Sequence, residues 1–221
     1  MHAPAFGNDA WLHYRLLASL RESRRTRASV REAGVGDLEQ VSATLADAFA
    51  TDPILQWLAP SQRSDKQLRR LIEIELAYYV FPAGRVLTTD DFRGANLELP
   101  PGRWEMAVPL SGAVGFVRVF GLRLPRARRL QRLFENNHLQ EPHYYIRYLG
   151  VATRFQGQGL GTALLRSTLD RCDKEGVPAY LEASSERSAA LYERLEFVHL
   201  GELEVPNGPR FWPMRRPPAA A

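Results

Sequence analysis

Cysteine is nearly missing from this sequence: Cys172 stands alone among 221 residues. One thiol excludes an intramolecular disulfide and fits a reducing compartment, so a cytoplasmic location is expected. Cys172 also falls with Leu165 and Leu169 at helical spacing, which marks a small buried thiol rather than a nucleophile. Lysine is almost as scarce, with only Lys66 and Lys174, so arginine carries most of the positive charge behind a net +4. That excess suits a pocket for a polyanionic cofactor and equally suits weak nucleic-acid contact. No aromatic-interleaved strand or recognition helix accompanies the arginines, so no specific nucleic-acid partner is expected. No run of eighteen apolar residues occurs, which leaves no spanning helix and no expected membrane partner. The apolar stretch Trp11 to Leu20 precedes Arg21, Arg24, Arg25 and Arg27, the reverse of the secretory order. His2, His13, His138, His143 and His199 show no metal-ligand spacing, and no metal is expected.

What is present reads as an ordinary globular chain, with 45% hydrophobic and 24% charged residues. That supports one well-cored domain, placed at 28–216, with an N-terminal extension at 1–27 and a short tail at 217–221. Trp11, Leu12, Leu16, Leu17 and Leu20 form a stripe that reads as a terminal helix, loose or packed on its own domain. Residues 28–33 read as a strand, and Asp37 offers an N-cap to a helix carrying Leu38, Val41, Leu45 and Phe49, closed by Thr51-Asp52-Pro53. A second helix runs from Ser64 or Asp65 to Phe81-Pro82. Strands follow at 85–89 and 95–99, then helical pieces over 103–140, clearest at 126–137. Residues 143–151 read as a strand, 157–174 as a helix, 179–183 as a strand and 188–195 as a short helix. Strands at 197–205 and 210–215 close the chain around Pro206-Asn207-Gly208-Pro209. This alternation implies an α/β domain around a mixed sheet.

The segment Gln156-Gly157-Gln158-Gly159-Leu160-Gly161 follows a strand and opens a helix. A helix start leaves N–H groups unpaired and carries partial positive charge, and glycines admit phosphate oxygens to the backbone. Arg154 stands nearby, and Thr162 can donate from the first turn. A P-loop would need a lysine after the glycines, and none follows. A dinucleotide fingerprint would need its third glycine one residue later, tight against the first strand of a βαβ unit, whereas the strand here is about the chain's fourth.

The hexapeptide resembles the coenzyme A loop, Q/R-x-x-G-x-G/A, of the GNAT superfamily of N-acetyltransferases. Tyr148-Leu149-Gly150-Val151 upstream, and Leu181-Glu182-Ala183-Ser184 with Tyr192-Glu193-Arg194-Leu195 downstream, are similar to that family in order and spacing. Residues 140–216 look like its puromycin N-acetyltransferase group, notably at Gln140-Glu141-Pro142 and Glu204-Val205-Pro206-Asn207-Gly208-Pro209-Arg210. The likeness is faint over 28–139.

The resemblance implies a single GNAT-type domain, a mostly antiparallel sheet flanked by helices with a splayed central strand pair. It implies direct attack of an amine on acetyl-coenzyme A with both substrates bound, the acceptor being a small molecule or peptide. The cofactor would be held by Leu149, Val151, Gln156, Gly157, Gln158, Gly159, Leu160, Gly161, Thr162 and Ser188. A backbone N–H of Leu149 or Val151 would polarise the carbonyl. Tyr192 is expected as general acid, and Glu182 as base or structural hydrogen-bonding group.

Two departures from the pattern, Ser188 in place of asparagine and Glu196 in place of a helix-ending glycine, motivate a second reading: a coenzyme A-binding regulatory or partner protein with little turnover. Tyr78, Tyr79, Phe49, Trp57 and Trp104 are candidates for an acceptor pocket, two of them at most. Glu75, Glu98 and Glu105 read as solvated surface before acceptor contacts. Oligomeric state is left open, a homodimer included.

Overall fold

A short edge strand, β1 (Val30–Glu32), starts the sheet in the computed structural model, which describes residues 29–58, 64–105 and 110–219. The stripe expected between Trp11 and Leu20 lies outside the described residues. β1 pairs antiparallel with β2 (Arg85–Thr89), β2 with β3 (Gly94–Leu99), and β3 with β4 (Tyr144–Val151). β4 meets β5 (Ala179–Ala183) in parallel, and β5 meets β8 (Arg210–Arg216) antiparallel. The expected long strand over 197–205 is instead two short ones, β6 (Val198–His199) and β7 (Leu203–Glu204), both paired to β8. Gly201 interrupts them at φ 154°.

Seven helices among the described residues surround this sheet. α1 (Leu38–Ala48) packs through Leu45, Ala48 and Phe49 against Gly150, where an added Cβ would come within 2.8 Å of Ala48. Val151, pointing to the other face, meets α6 (Leu160–Glu175). The sheet centre is therefore covered on both sides. α2 (Pro53–Leu58), α3 (Ser64–Glu75), α4 (Leu110–Phe120) and α5 (Leu124–Asn137) enclose the apolar cluster with α1. α3 runs on through a π-helical turn at Leu76–Val80 and ends at Ala83, where Gly84 stops it. α7 (Glu186–Glu193) packs with Cys172, Leu181 and Phe197 in a second cluster. Burial raises the Cys172 thiol to about 12, so it is inert. The tail expected at 217–221 is partly tied down, since Ala219 N donates to Asp173 at 2.7 Å.

Two local readings change. Asp37 sits at the N-cap position of α1 yet makes no cap bond to it. Its carboxylate instead accepts from Arg31 at 2.8 and 3.1 Å and from Gly34 N at 3.0 Å, closing the turn before the helix. α7 begins two residues before the expected 188, because Ser185 caps it and Ser188 is the third residue of a capping box. Tyr192 lies in the last turn of α7.

Glu196 adopts the left-handed conformation at φ 68°, and Phe197 N returns to Tyr192 O at 3.1 Å. The glycine-type helix ending is thus kept with a strained residue in it. Glu196→Gly should raise stability by about 0.5–1 kcal/mol in urea unfolding, because glycine adopts this φ without penalty. The lost 3.4 Å contact to Arg216 involves a well exposed carboxylate and contributes little. An unchanged or lower midpoint would show that the contact outweighs the strain.

Candidate active site

Two features of β4 open the sheet. Leu97 pairs with Tyr148 and Glu98 with Ile146, so Arg147 is an extra residue in β4. Such a bulge sharpens local twist and re-aims the strand. Just before it, pairing with β5 ends: only Tyr144 with Ala179 and Tyr145 with Tyr180 are in register. The expected splayed pair is present.

Ala152 N donates to Arg93 O at 2.8 Å, toward β3. Successive N–H groups point to opposite strand edges, so those of Val151 and Leu149 face the splay. Gln156 is turned to structural use, its amide donating to Val151 O at 3.1 Å. Gly157 and Gly159 hold φ of 75° and 82°, so α6 starts at Leu160, later than the expected 157. Gly159 provides no side-chain cap, and the first intrahelical bond shown is Ala163 N to Gly159 O. The N–H groups of Leu160, Gly161 and Thr162 are consequently the orphan donors of a sixteen-residue helix. Gln158 and the loop glycines 157 and 159 are exposed, with open space where their Cβ atoms would lie. This cradle fits a pyrophosphate. Arg93 and Arg154 flank it on Phe155, each guanidinium 4.6 Å from the ring.

From the splay a cavity of about 390 Å³ reaches between the helices. Leu149, Leu181, Glu182, Ser184, Ser188 and Tyr192 line its strand end; Leu55, Phe116, Phe120, Leu130 and Phe134 line its helical end. Of the five aromatic candidates, Phe49 and Trp104 reach it. Tyr79 is buried beside it, and Trp57 is engaged by Asn207 O at 3.0 Å and by Arg126 across its ring. Tyr78 is exposed.

Tyr192 presents its phenol here, and among the described residues no hydrogen-bond partner engages it. Burial, and secondarily the Asp52 charge, push its pKa well up, so it holds its proton at neutral pH. Ser188 Oγ is occupied by the capping box, at 3.1 Å from Ser185 N and 2.8 Å from Ser185 O. Glu182 Oε2 accepts from Tyr145 OH at 2.8 Å, while its Oε1 is buried with no hydrogen-bond partner.

The surface reading of the glutamates fails for two of three. Glu75 is 3% exposed at the cavity wall and is gripped by Arg147 through Nε and, at 2.8 Å, Nη2. Glu98 is 1% exposed and held by Arg85 at 3.0 Å and by Thr168 of α6. Each is buried because an arginine neutralises it. Glu105 is exposed.

Sequence reasoning missed Asp52, Arg147 and the pairing of His138 with His143. Asp52 was legible: an aspartate before a proline at the first helical position is an N-cap signature. Its Oδ1 accepts from Ile54 N and Leu55 N, both at 3.0 Å. Burial raises its pKa, opposed by the Ser184 hydroxyl and these two N–H groups. A carboxyl raised in the folded state contributes stability below its unfolded pKa and loses it as pH rises through the folded value. Asp52→Asn keeps the cap oxygen without the charge. Its thermal midpoint should therefore exceed that of the wild type at pH 7.5, with the gain vanishing near pH 3.5; a midpoint lowered at pH 7.5 would contradict this.

Among the described residues no trio of His, Cys, Asp or Glu is placed to hold a metal ion, and no helix is long and apolar enough to cross a membrane. Residues 68–197 match the profile of the Acetyltransferase (GNAT) family. An uncharacterized N-acetyltransferase of Schizosaccharomyces pombe is 30% identical over 181 residues, covering 74% of this chain and 71% of that protein. A Corynebacterium glutamicum structure, named as histone acetyltransferase HPA2 and related acetyltransferase, superposes at TM-score 0.70 with 27% identity, over 87% of this chain and 97% of that one. An N-acetyltransferase from Staphylococcus aureus, 18% identical, shares the fold at TM-score 0.60 over 85% of this chain and all of its own.

Proposed function

The chain belongs to the Acetyltransferase (GNAT) family, an enzyme class of acyltransferases, and from that premise we propose that it acetylates a small amine whose remaining body is bulky and apolar. The observation that carries this reading is the early end of β4–β5 pairing, which opens a cavity walled by Leu149, Leu181, Glu182 and Tyr192.

Acetyl-coenzyme A, the co-substrate, supplies an activated acetyl thioester. The residues present suit it. Orphan N–H groups at Leu160, Gly161 and Thr162 receive the pyrophosphate, with Gly157 and Gly159 keeping that approach clear. Gln156 and Gln158 belong to the same cradle, Gln156 by bracing the loop on Val151. The Leu149 and Val151 N–H groups receive the pantetheine arm, and one of them polarises the carbonyl. Ser188 contributes by holding the start of α7 over the cleft. Tyr192 gives its proton to the departing thiolate, and Glu182 takes one from the amine. Holding both reactants in one cavity supplies the positional part of the rate enhancement.

The acceptor class follows from the helical end of the cavity. Phe116, Phe120, Leu130 and Phe134 offer an apolar surface, while Asp52, Glu135 and Glu182 provide negative charge for a cationic amine before it loses its proton. Arg147, one of two arginines there, is neutralised by Glu75. The catalytic domain is assigned to 28–216.

Thiol release should be followed with acetyl-coenzyme A and primary amines graded from methylamine to aryl-substituted and long alkyl amines. Turnover rising with apolar bulk supports the reading. Turnover confined to small polar amines, or to none, contradicts it.

A further inference from the structure

Two buried histidines stand behind Glu182 in a line with a countable deficit of protons. His138 ends α5 and is 5% exposed; His143 precedes β4 and is 2% exposed. His143 Nδ1 lies 2.7 Å from the Glu141 carbonyl oxygen. His143 Nε2 lies 3.0 Å from His138 Nε2. His138 Nδ1 lies 3.5 Å from Glu182 Oε1. The ends of the line, a backbone carbonyl and a carboxylate oxygen, can only accept. Three gaps thus call for three protons, and two neutral imidazoles carry two. The shortfall belongs in the long gap, since the other two have hydrogen-bond lengths. Glu182 Oε1 is indeed the atom left buried without a partner.

We propose that His138 and His143 complete the base of the transfer reaction: a proton that Glu182 takes from the acceptor amine is shared with His138 Nδ1 and fills the third gap. The nitrogen lone pair forms the new C–N bond, and the C–S bond breaks with its pair leaving on sulfur. The N–H bond breaks with its proton going to Glu182 and its pair staying on nitrogen. The proton stays between Glu182 and His138 until product leaves, then returns to solvent. The thiolate takes a different proton, from Tyr192, which recovers one from solvent as product leaves. His138 and His143 act through Glu182, so they are positioning residues. The inference rests on the transferase reading.

The surroundings fit a line that gains one positive charge. Trp104 stacks on His138 with ring centres 3.9 Å apart, an arrangement that favours an imidazolium. Gln140 fixes the His138 carbonyl at 2.8 Å. Burial holds His143 less basic than usual. Other titratable and charged groups face the line from β4 and β5. Tyr145 donates to Glu182 Oε2 at 2.8 Å, and Arg147 acts on Tyr145. Tyr180 is pushed far up by burial and by Glu182. Glu141, at the outer end, is paired with Arg215.

The test uses the full chain labelled with ¹⁵N-histidine, without ligand, between pH 5 and 9. His143 should remain the Nδ1–H tautomer while His138 gains a proton at Nδ1 as pH falls. Glu182→Gln should abolish that uptake, because its amide N–H fills the third gap. In the acetyl-transfer assay His138→Phe, which keeps a ring against Trp104, should lower kcat on the order of tenfold or more. It should also move the acidic limb of the kcat/KM profile to lower pH, with KM for the amine little changed. His138 held neutral from pH 5 to 9, or uptake unaffected by Glu182→Gln, would overturn the proposal. So would a folded His138→Phe enzyme with wild-type kcat and pH profile. A wild-type chain without turnover would overturn the transferase reading by itself; the spectra decide the proton line in either case.

Discussion

Tyr192→Phe should lower kcat by about 100-fold or more while leaving KM for the amine within about twofold and the thermal midpoint unchanged. The phenol faces the cavity, holds its proton because burial raises its pKa, and has no hydrogen-bond partner among the described residues. Removing the oxygen therefore breaks no internal bond. The ring itself is retained, still packed against Phe197 at 5.7 Å. A departing thiolate without a donor is a poorer leaving group, so the loss should fall on kcat. It should shrink for thioesters whose thiol is more acidic. Equal kcat in the variant would remove Tyr192 from the chemistry and return it to packing.

Arg147→Met should destabilise the fold by about 3–5 kcal/mol, read from urea unfolding. The substitution keeps the side-chain volume near that of arginine but withdraws both N–H donors from the Glu75 carboxylate, which is 3% exposed. A buried carboxylate left without its cation either pays desolvation or takes up a proton. The second variant, Arg147→Met with Glu75→Leu, should recover most of the loss, because apolar replacement of a whole buried pair is often neutral. A single-variant loss below about 1 kcal/mol would mean that water reaches Glu75 through the cavity, and the pair would then count as exposed.

Parts of this molecule were legible in sequence for identifiable reasons. β2, β5 and nearly all of α5 fall where branched and apolar residues alternate or repeat at their own period, with breakers close by. The cradle was legible because glycine in the left-handed region has few substitutes, and a strand–turn–helix context narrows what it holds. Three things escaped. The burial of Glu75 and Glu98 depends on Arg147 and Arg85, and nothing local marks Glu75 and Arg147, 72 positions apart, as partners. The bulge at Arg147 leaves no local mark, since β4 reads as an unbroken strand on either side of it. His138 and His143 are five positions apart, yet their meeting required the chain to turn at Glu141-Pro142 between α5 and β4. The acceptor end is built by α4 and α5, where the family resemblance was faint, so the apolar cavity was a finding of the structure.

On the proposed function, the α6 N-terminus and the β4–β5 splay form one acetyl-coenzyme A site. Thermal unfolding of the wild-type chain with increasing acetyl-coenzyme A tests it most directly, alongside Gly159→Val, which places a branched residue at φ 82° in the cradle. The wild type should gain about 2.7 kcal/mol of stability at a hundredfold excess over Kd, and the variant should gain little at the same concentration. No shift of the wild type at millimolar acetyl-coenzyme A, or equal shifts in both proteins, would contradict it.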